Sequence, residues 1–520
     1  MAFIRRPDYR YQRLIMSFRI IAAYCIAGLL PFAGHASDIT FNTASNSDLG
    51  EGLRSLASSK VLLNADGSRA HWNGVGRINS KKGMSCTATL IDTRSADSPP
   101  DAPAYVLTNG HCISRQNGLM VTDGEIEGSM QFDFFTDTTA RSYPLKRIKW
   151  SSMQGVDLAI VELQPTLKTL TDEGIQPIRL ASRMPEEGRD ILWVGAPLYQ
   201  DTGHLRMAAC VHQSSGEILE QPWVWRHSVS NQCQDVDTGA SGSPLLTRDS
   251  SEIYAVVHLV SEPLSPDPPD DEEEFAPGFP LLASGSNFGS PVTHLSQCFV
   301  SGVLSTDPST CSLFPTFSIS FDDPSAPRHY AKVRLDADGK ALYPGWNLRF
   351  TVDKPLYRYK KVDSARDCEN PVGYSQAYAS QGAVIDEPVD TRIGINWLCI
   401  VGVASADERP SPGLMRNALT LAVELQPAGP TAEPRMSIEK TRFSAYSVHW
   451  SLDSGLIDHY RVKIGPPETT DCSDPQGFNR RFANLVLRTQ SLPKKICTYA
   501  YDVNGQRSAV REDLVSAPEA

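Results

Sequence analysis

Ten of the eleven cysteines fall along the chain as five close couples: Cys86 with Cys112, Cys210 with Cys233, Cys298 with Cys311, Cys368 with Cys399, and Cys472 with Cys497. The eleventh, Cys25, lies in a short apolar run near the N-terminus. An even set at such spacings implies disulfides formed in an oxidising compartment. None of the couples has the C-x2-C spacing of a zinc site, and no H-x3-5-H accompanies them, so no metal is expected. The sequence leaves the connectivity open. Each couple nevertheless sits within one candidate domain, so the chain is expected to fold as several small stapled units.

The N-terminus agrees with export. Arg5, Arg6, Arg10, Arg13 and Arg19 flank an apolar run from Ile20 to Phe32, broken only at Pro31, and Gly34-His35-Ala36 offers small residues for cleavage. That run falls short of the roughly 20 residues a spanning helix needs. Residues 1–36 are therefore read as a signal peptide, with no stable membrane span after cleavage and a secreted or periplasmic product. The whole chain carries a formal charge of −11. Without the basic leader it is more acidic still, which repels phosphate backbones and argues against nucleic-acid binding.

Residues 37–70 are polar and read as a leader or propeptide. Residues 71–312 hold short strand-like runs rich in β-branched and aromatic residues, such as Thr87–Ile91, Leu158–Leu163 and Tyr254–Val260, separated by turn residues. This is an all-β pattern, a barrel or sandwich. From Glu262 to Pro280 a run of prolines and acidic residues reads as a solvated loop. Trp223 and Trp225, two apart, are expected on one face of a strand. The last third repeats itself. Leu348–Asp353, Tyr357-Arg-Tyr-Lys360, Cys368 and Cys399 are echoed by Val448–Asp453, Tyr460-Arg-Val-Lys463, Cys472 and Cys497. Two disulfide-containing β-sandwiches are expected, 313–427 and 428–520, across a Pro/Gly/Ala-rich linker. The second resembles a fibronectin type III sandwich. Sandwiches host many roles, so these two are expected as spacers or as modules binding a surface or substrate.

Three segments between residues 71 and 312 carry chemistry: Leu107-Thr-Asn-Gly-His111-Cys112, Gly155-Val-Asp157-Leu-Ala-Ile-Val161 and Asp237-Thr-Gly239-Ala-Ser241-Gly242-Ser-Pro244. A serine hydroxyl needs a base to become a nucleophile, histidine can serve near neutral pH, and a buried carboxylate must hold the imidazole. Glycines beside the serine allow the tight backbone an oxyanion site requires. The chain order His, Asp, Ser differs from the subtilisin and α/β-hydrolase orders, and G-x-S-x-G is absent because Ser243 stands at its second glycine.

On these motifs the region resembles the trypsin/chymotrypsin superfamily of serine endopeptidases, in particular its bacterial secreted members. Thr-Asn-Gly-His111-Cys112 is similar to the family's histidine motif, Asp157-Leu-Ala-Ile to its aspartate motif, and Gly239-Ala-Ser241-Gly-Ser-Pro to G-x-S-G-[GS]-P. The resemblance implies a chymotrypsin-like double β-barrel and a bridge from Cys86 to Cys112. It implies Ser241 as nucleophile, His111 as general base and Asp157 as its orienting group. It also implies the backbone N–H groups of Gly239 and Ser241 as oxyanion hole, protein or peptide substrates, and no cofactor. Ala240 replaces the aspartate with which digestive members pair a newly cut N-terminus, so that activation device is absent. For substrate choice, Asp235 lies six residues before Ser241, where it would favour Arg or Lys. His258, in Ala255-Val-Val-His258, resembles a histidine with which the glutamyl endopeptidases contact acidic side chains. The preference stays open. The rivals are a non-catalytic binding or adhesion protein that keeps the fold, and a secreted esterase of another fold.

Overall fold

The computed structural model describes residues 48–516 apart from 82–83, 199–202, 262–284, 325, 327, 430–433, 435, 442–444, 451–456, 482–483 and 503. The expected signal segment and the whole acidic insertion, 262–280, lie outside the described residues.

The architecture is all-β, as expected. Six strands close the first barrel. Val75–Ser80, Ser85–Leu90, Pro103–Thr108, Leu158–Thr166, Arg141–Ser152 and Gly128–Phe132 pair antiparallel in that order, and the last returns to the first. Closure bends the strands, and the long strand Arg141–Ser152 takes the bend through register shifts at Leu145/Arg147 and Ile148/Trp150. Inward residues fill the interior, among them Ile78, Ala88, Val106, Met130, Phe132 and Val161.

The second barrel is built from an eight-stranded sheet. Its order is Lys60–Val61, Arg206–Val211, Asp190–Gly195, Pro244–Thr247, Ile253–Val260, Asn287–Pro291, Trp223–Asn231 and Gln213–Glu220. Cys210 lies on the second strand of this order, and Cys233 just follows the seventh. In a flat sheet five strand spacings would separate them by about 24 Å. The disulfide holds their Cα atoms 4.9 Å apart, so the sheet has rolled until its edges face each other. Trp193, Val229, Leu245, Tyr254 and Val257 pack inside.

A third core lies where the barrels meet, with Tyr105, Leu107, Trp150 and Ile160 on one side and Leu192, Val194, Met207 and Val256 on the other. Two segments join it from outside the expected boundaries. Lys60–Val61 pairs with Arg206–Met207 and leads to the fully buried Leu62, so the described part of the expected leader is built into the protease region. At the other end, Cys311 was expected to lie at the close of the protease region, with a boundary directly after it. Instead Cys311 and its partner Cys298 are fully buried in this third core, with their Cα atoms 4.4 Å apart, and Leu313 and Phe314 follow them into it. The chain therefore crosses residue 312 without leaving the core, because apolar side chains on both sides of that point are buried together.

The two C-terminal units each pack two sheets. The first sets Ile319–Phe321, Leu348–Val352 and Ala383–Ile385 against a five-stranded sheet centred on Gly394–Val403. The second sets Met436–Lys440, Ala445–Trp450 and Asn484–Arg488 against a four-stranded sheet. Their registers match: Lys360 pairs with Cys399 as Lys463 pairs with Cys497. In both, the lysine ammonium reaches backbone carbonyls next to the first cysteine of the bridge: those of Asn370 and Val372 in the first, those of Asp471 and Asp474 in the second. All five couples are disulfides: Cys86–Cys112, Cys210–Cys233, Cys298–Cys311, Cys368–Cys399 and Cys472–Cys497.

Polar anchors dock the units to one another. Arg226, 1% exposed, leaves the second barrel and donates to the Ala418 carbonyl (2.6 Å), Thr420 Oγ1 (2.8 Å) and Glu369 Oε1 (3.1 Å) of the first sandwich. Lys332 of the first sandwich meets Asp502 of the second at 2.7 Å, with both side chains buried. Asp502→Asn would leave that ammonium buried without a counter-charge. We expect a loss of about 3–5 kcal/mol, read by urea unfolding. An unchanged midpoint would mean that the pair is solvated.

Candidate active site

The strand Pro103–Thr108 ends in a turn that carries His111, and Asp157 opens the neighbouring strand Leu158–Thr166. The turn is tied to that strand by Asn109, whose Nδ2 donates to the Asp157 carbonyl at 2.9 Å. It is tied to the barrel by the Cys86–Cys112 disulfide. The two side chains then meet directly. His111 Nδ1 lies 2.5 Å from Asp157 Oδ2, and the His111 backbone N–H donates to Oδ1 at 2.9 Å. A carboxylate only accepts, so Nδ1 carries the proton and Nε2 is left as the basic nitrogen.

Both groups are buried, His111 at 8% and Asp157 at 1% exposure. Burial alone would lower the imidazole pKa, but the Asp157 charge and hydrogen bond outweigh it and hold the pKa above its ordinary value. Burial likewise pushes the Asp157 carboxyl up, and the His111 charge and hydrogen bond bring it below the usual range.

Ser241 sits in the turn before Pro244–Thr247, half-buried. Gly242 has φ +86°, and a Cβ there would lie 2.0 Å from the Thr87 carbonyl oxygen, so only glycine lets the turn press against the first barrel. Thr87 clamps this turn twice. Its N–H donates to the Ser241 carbonyl at 2.8 Å and its Oγ1 to the Gly239 carbonyl at 2.9 Å. Since Thr87 follows Cys86, and Cys86 bridges to Cys112 beside His111, a short covalent path joins His111 to the residue whose hydrogen bonds hold the Ser241 turn. No hydrogen bond joins Ser241 Oγ to His111. The N–H groups of Gly239 and Ser241 have no acceptor among the described residues, which leaves both donors open. The His111 ring lies within 4.8 Å of the Cys86 and Cys112 sulfurs. Those sulfurs are spent in a disulfide, so the trio is not a ligand set. The Cys298–Cys311 bridge has a different place. It sits in the core between the barrels and ties down the segment that leads to the first sandwich, so Cys311 is a structural residue and not a member of the site.

The departures from the family motif have a packing basis. Ala240 is fully buried in the apolar cluster that includes Ala181, Ile191 and Trp193, which suits a methyl side chain. Ser243 fits because Gly195 faces it: a Cβ there would lie 2.2 Å from Ser243 Oγ.

The two specificity candidates part company. The Asp235 carboxylate is taken up by Ser59, accepting its N–H at 2.7 Å and its hydroxyl at 2.8 Å, and so ties down the N-terminal segment. His258 lies behind Asp157, edge-on to Trp225 and 3.3 Å from Ser290 Oγ, which also accepts the Asp157 N–H. Burial pushes the His258 pKa down to about 4, and its Nε2 has no partner among the described residues. Trp223 and Trp225 stack 6.4 Å apart on one strand face.

Sequence reading missed Glu220. It accepts from Trp225 Nε1 at 2.8 Å, and burial raises its pKa, with the Asp157 charge adding to the shift. It also missed a cleft of about 540 Å³ lined by Arg115, Asn117 and Pro222 and by Phe321, Pro324 and His329 of the first sandwich. No local pattern marks either feature.

Residues 86–256 match a family model described as a trypsin-like peptidase domain. No curated protein matches the chain. Among solved structures, an inactive-form serine-to-alanine mutant of Rv3671c from M. tuberculosis H37Rv is similar at 16% identity, covering 46% of this chain and 91% of its own, with a TM-score of 0.27. The thermostable serine protease AL20 from an extremophilic microorganism is similar at 14% identity, covering 45% and 94%, with a TM-score of 0.30. A scabies mite inactivated protease paralogue is similar at 15% identity, covering 46% and 95%, with a TM-score of 0.30.

Proposed function

We propose that the protein is a secreted or periplasmic serine endopeptidase working through His111, Asp157 and Ser241. The observation that carries this reading is the buried His111–Asp157 pair, with Nδ1 held at 2.5 Å and Nε2 left basic. Ser241 Oγ attacks the scissile carbonyl as His111 Nε2 takes its proton. The open N–H groups of Gly239 and Ser241 receive the oxyanion. His111 then protonates the leaving amine, and water hydrolyses the acyl-enzyme by the same route. No metal or cofactor enters these steps. Five disulfides support an oxidising compartment. The cleft walled by the first sandwich supports a role for that unit in holding an extended substrate.

A non-catalytic binding protein is the second reading, favoured by the missing hydrogen bond between Ser241 and His111. Fluorophosphonate labelling of the signal-free chain separates the two. Labelling lost in Ser241→Ala is expected. No labelling of the wild type supports the binding protein, and labelling that persists in the variant means another nucleophile.

The pH dependence follows from the His111 shift. The general base must be neutral, and Asp157 holds its pKa above 6.5, so the acid limb of kcat/KM should lie above pH 6.5. A raised folded-state pKa stabilises the protonated form. Its contribution to stability is therefore complete below pH 6.5 and is lost as pH rises through the folded pKa. Asp157→Asn removes the raising influence. The limb should move down and kcat fall by about 10⁴. A limb that stays in place would show that Asp157 does not set the base.

A further inference from the structure

Arg77 is an unusual charge among the described residues. It lies on the strand Val75–Ser80 at 3% exposure. Buried cations are normally paired with carboxylates, because a buried charge without one costs several kcal/mol. Arg77 makes no ion pair among the described residues. Its guanidinium is held only by neutral groups: Nη2 donates to the carbonyls of Ala196 (2.6 Å) and Gly203 (2.8 Å), and Nη1 reaches Ser85 Oγ at 3.5 Å. The group also lies 5.3 Å over the Phe134 ring. Burial draws its pKa down to about 10, with no charge among the described residues contributing, so it stays cationic at neutral pH.

Its position gives that charge a use. Arg77 is the cross-strand partner of Thr87, the residue that clamps the Gly239–Ser241 turn. A Cβ on Gly239 would lie 3.1 Å from Arg77 Nη1, so the guanidinium packs directly against the Cα of Gly239. The peptide carrying the Gly239 N–H is fixed as well, because the Thr238 carbonyl accepts the Leu198 N–H at 2.7 Å and a trans peptide points its N–H the other way.

We propose that Arg77 is an electrostatic positioning residue for the oxyanion site: a buried cation beneath Gly239, with no counter-charge among the described residues, that stabilises the negative charge developing on the substrate carbonyl oxygen. This rests on the serine endopeptidase reading. The charge acts through the Gly239 peptide and does not touch the substrate. It favours the tetrahedral state, in which the oxygen is charged, over the ground state, in which it is not. The effect therefore belongs in kcat and not in KM.

The test is Arg77→Gln in the full signal-free chain. Glutamine keeps an amide donor for the Ala196 carbonyl and removes the charge. We expect kcat to fall by about 10- to 100-fold at unchanged KM, as a unit charge a few ångströms away in a partly polar interior would give. The affinity of a peptidyl boronate, which presents a tetrahedral anion to the site, should fall by the same factor. Arg77→Lys should recover part of both. The losses should persist in high salt, since a buried charge is poorly screened. A wild type that takes up fluorophosphonate and cleaves peptides, with Arg77→Gln equal to it in kcat and boronate affinity, overturns this inference and leaves the endopeptidase reading standing. A variant that loses kcat while keeping full boronate affinity also overturns it, because the loss would then be structural. A wild type that takes up no fluorophosphonate overturns both.

Discussion

A carboxylate as deeply buried as Asp157 is tolerated only if its charge is answered on the spot. Much of the two-barrel unit can be read as the means of answering it. One oxygen accepts the backbone N–H of His111 and the other the imidazole Nδ1. The Asp157 main chain is held as well, its N–H by Ser290 Oγ from the second barrel and its carbonyl by Asn109 from the first. The second barrel thus contributes one of the bonds that hold Asp157 in place. The same geometry that makes Asp157 tolerable gives His111 a fixed tautomer and a basic Nε2, so packing and chemistry draw on a single arrangement.

The nucleophile turn is placed by a different device. Backbone groups of Gly239 and Ser241 are gripped by one threonine of the first barrel, and glycine at 242 lets the chains touch. This leaves two N–H donors and one hydroxyl open on the same turn. The first sandwich extends the arrangement outward. Arg226 crosses from the second barrel into it, and a Cβ on Gly155, two residues before Asp157, would lie 2.2 Å from the Arg226 guanidinium. The first sandwich thus holds the arginine that packs against Gly155, and it walls a cleft beside the His111 turn.

Much of this was legible in the sequence because it is local. The cysteine couples, the strand-length apolar runs and the three motifs are short-range patterns, and the couples pair as neighbours along the chain. The illegible part is set by contacts between distant segments. Asp235 looked like a pocket residue by its spacing from Ser241, yet Ser59, 176 residues away, takes up its carboxylate. Residues 48–70 looked like a leader because their polarity hides the one strand pairing and the buried Leu62 that fix them. A boundary is expected between residues 312 and 313, yet the core that holds Cys311 continues through Leu313 and Phe314. Arg77 reads as an ordinary strand arginine. Only the fold shows that it is buried beside Gly239 with no counter-charge among the described residues.

The central claim is that the buried His111–Asp157 pair and the open N–H groups of the Ser241 turn form one reaction site. The most direct measurement is a crystal structure of the chain after reaction with a fluorophosphonate. The account requires phosphorus bonded to Ser241 Oγ, a phosphoryl oxygen about 2.7–3.1 Å from both the Gly239 and Ser241 nitrogens, and His111 Nε2 facing the adduct with the Asp157 contact intact. An adduct on another residue, or a phosphoryl oxygen turned away from both N–H groups, would contradict it.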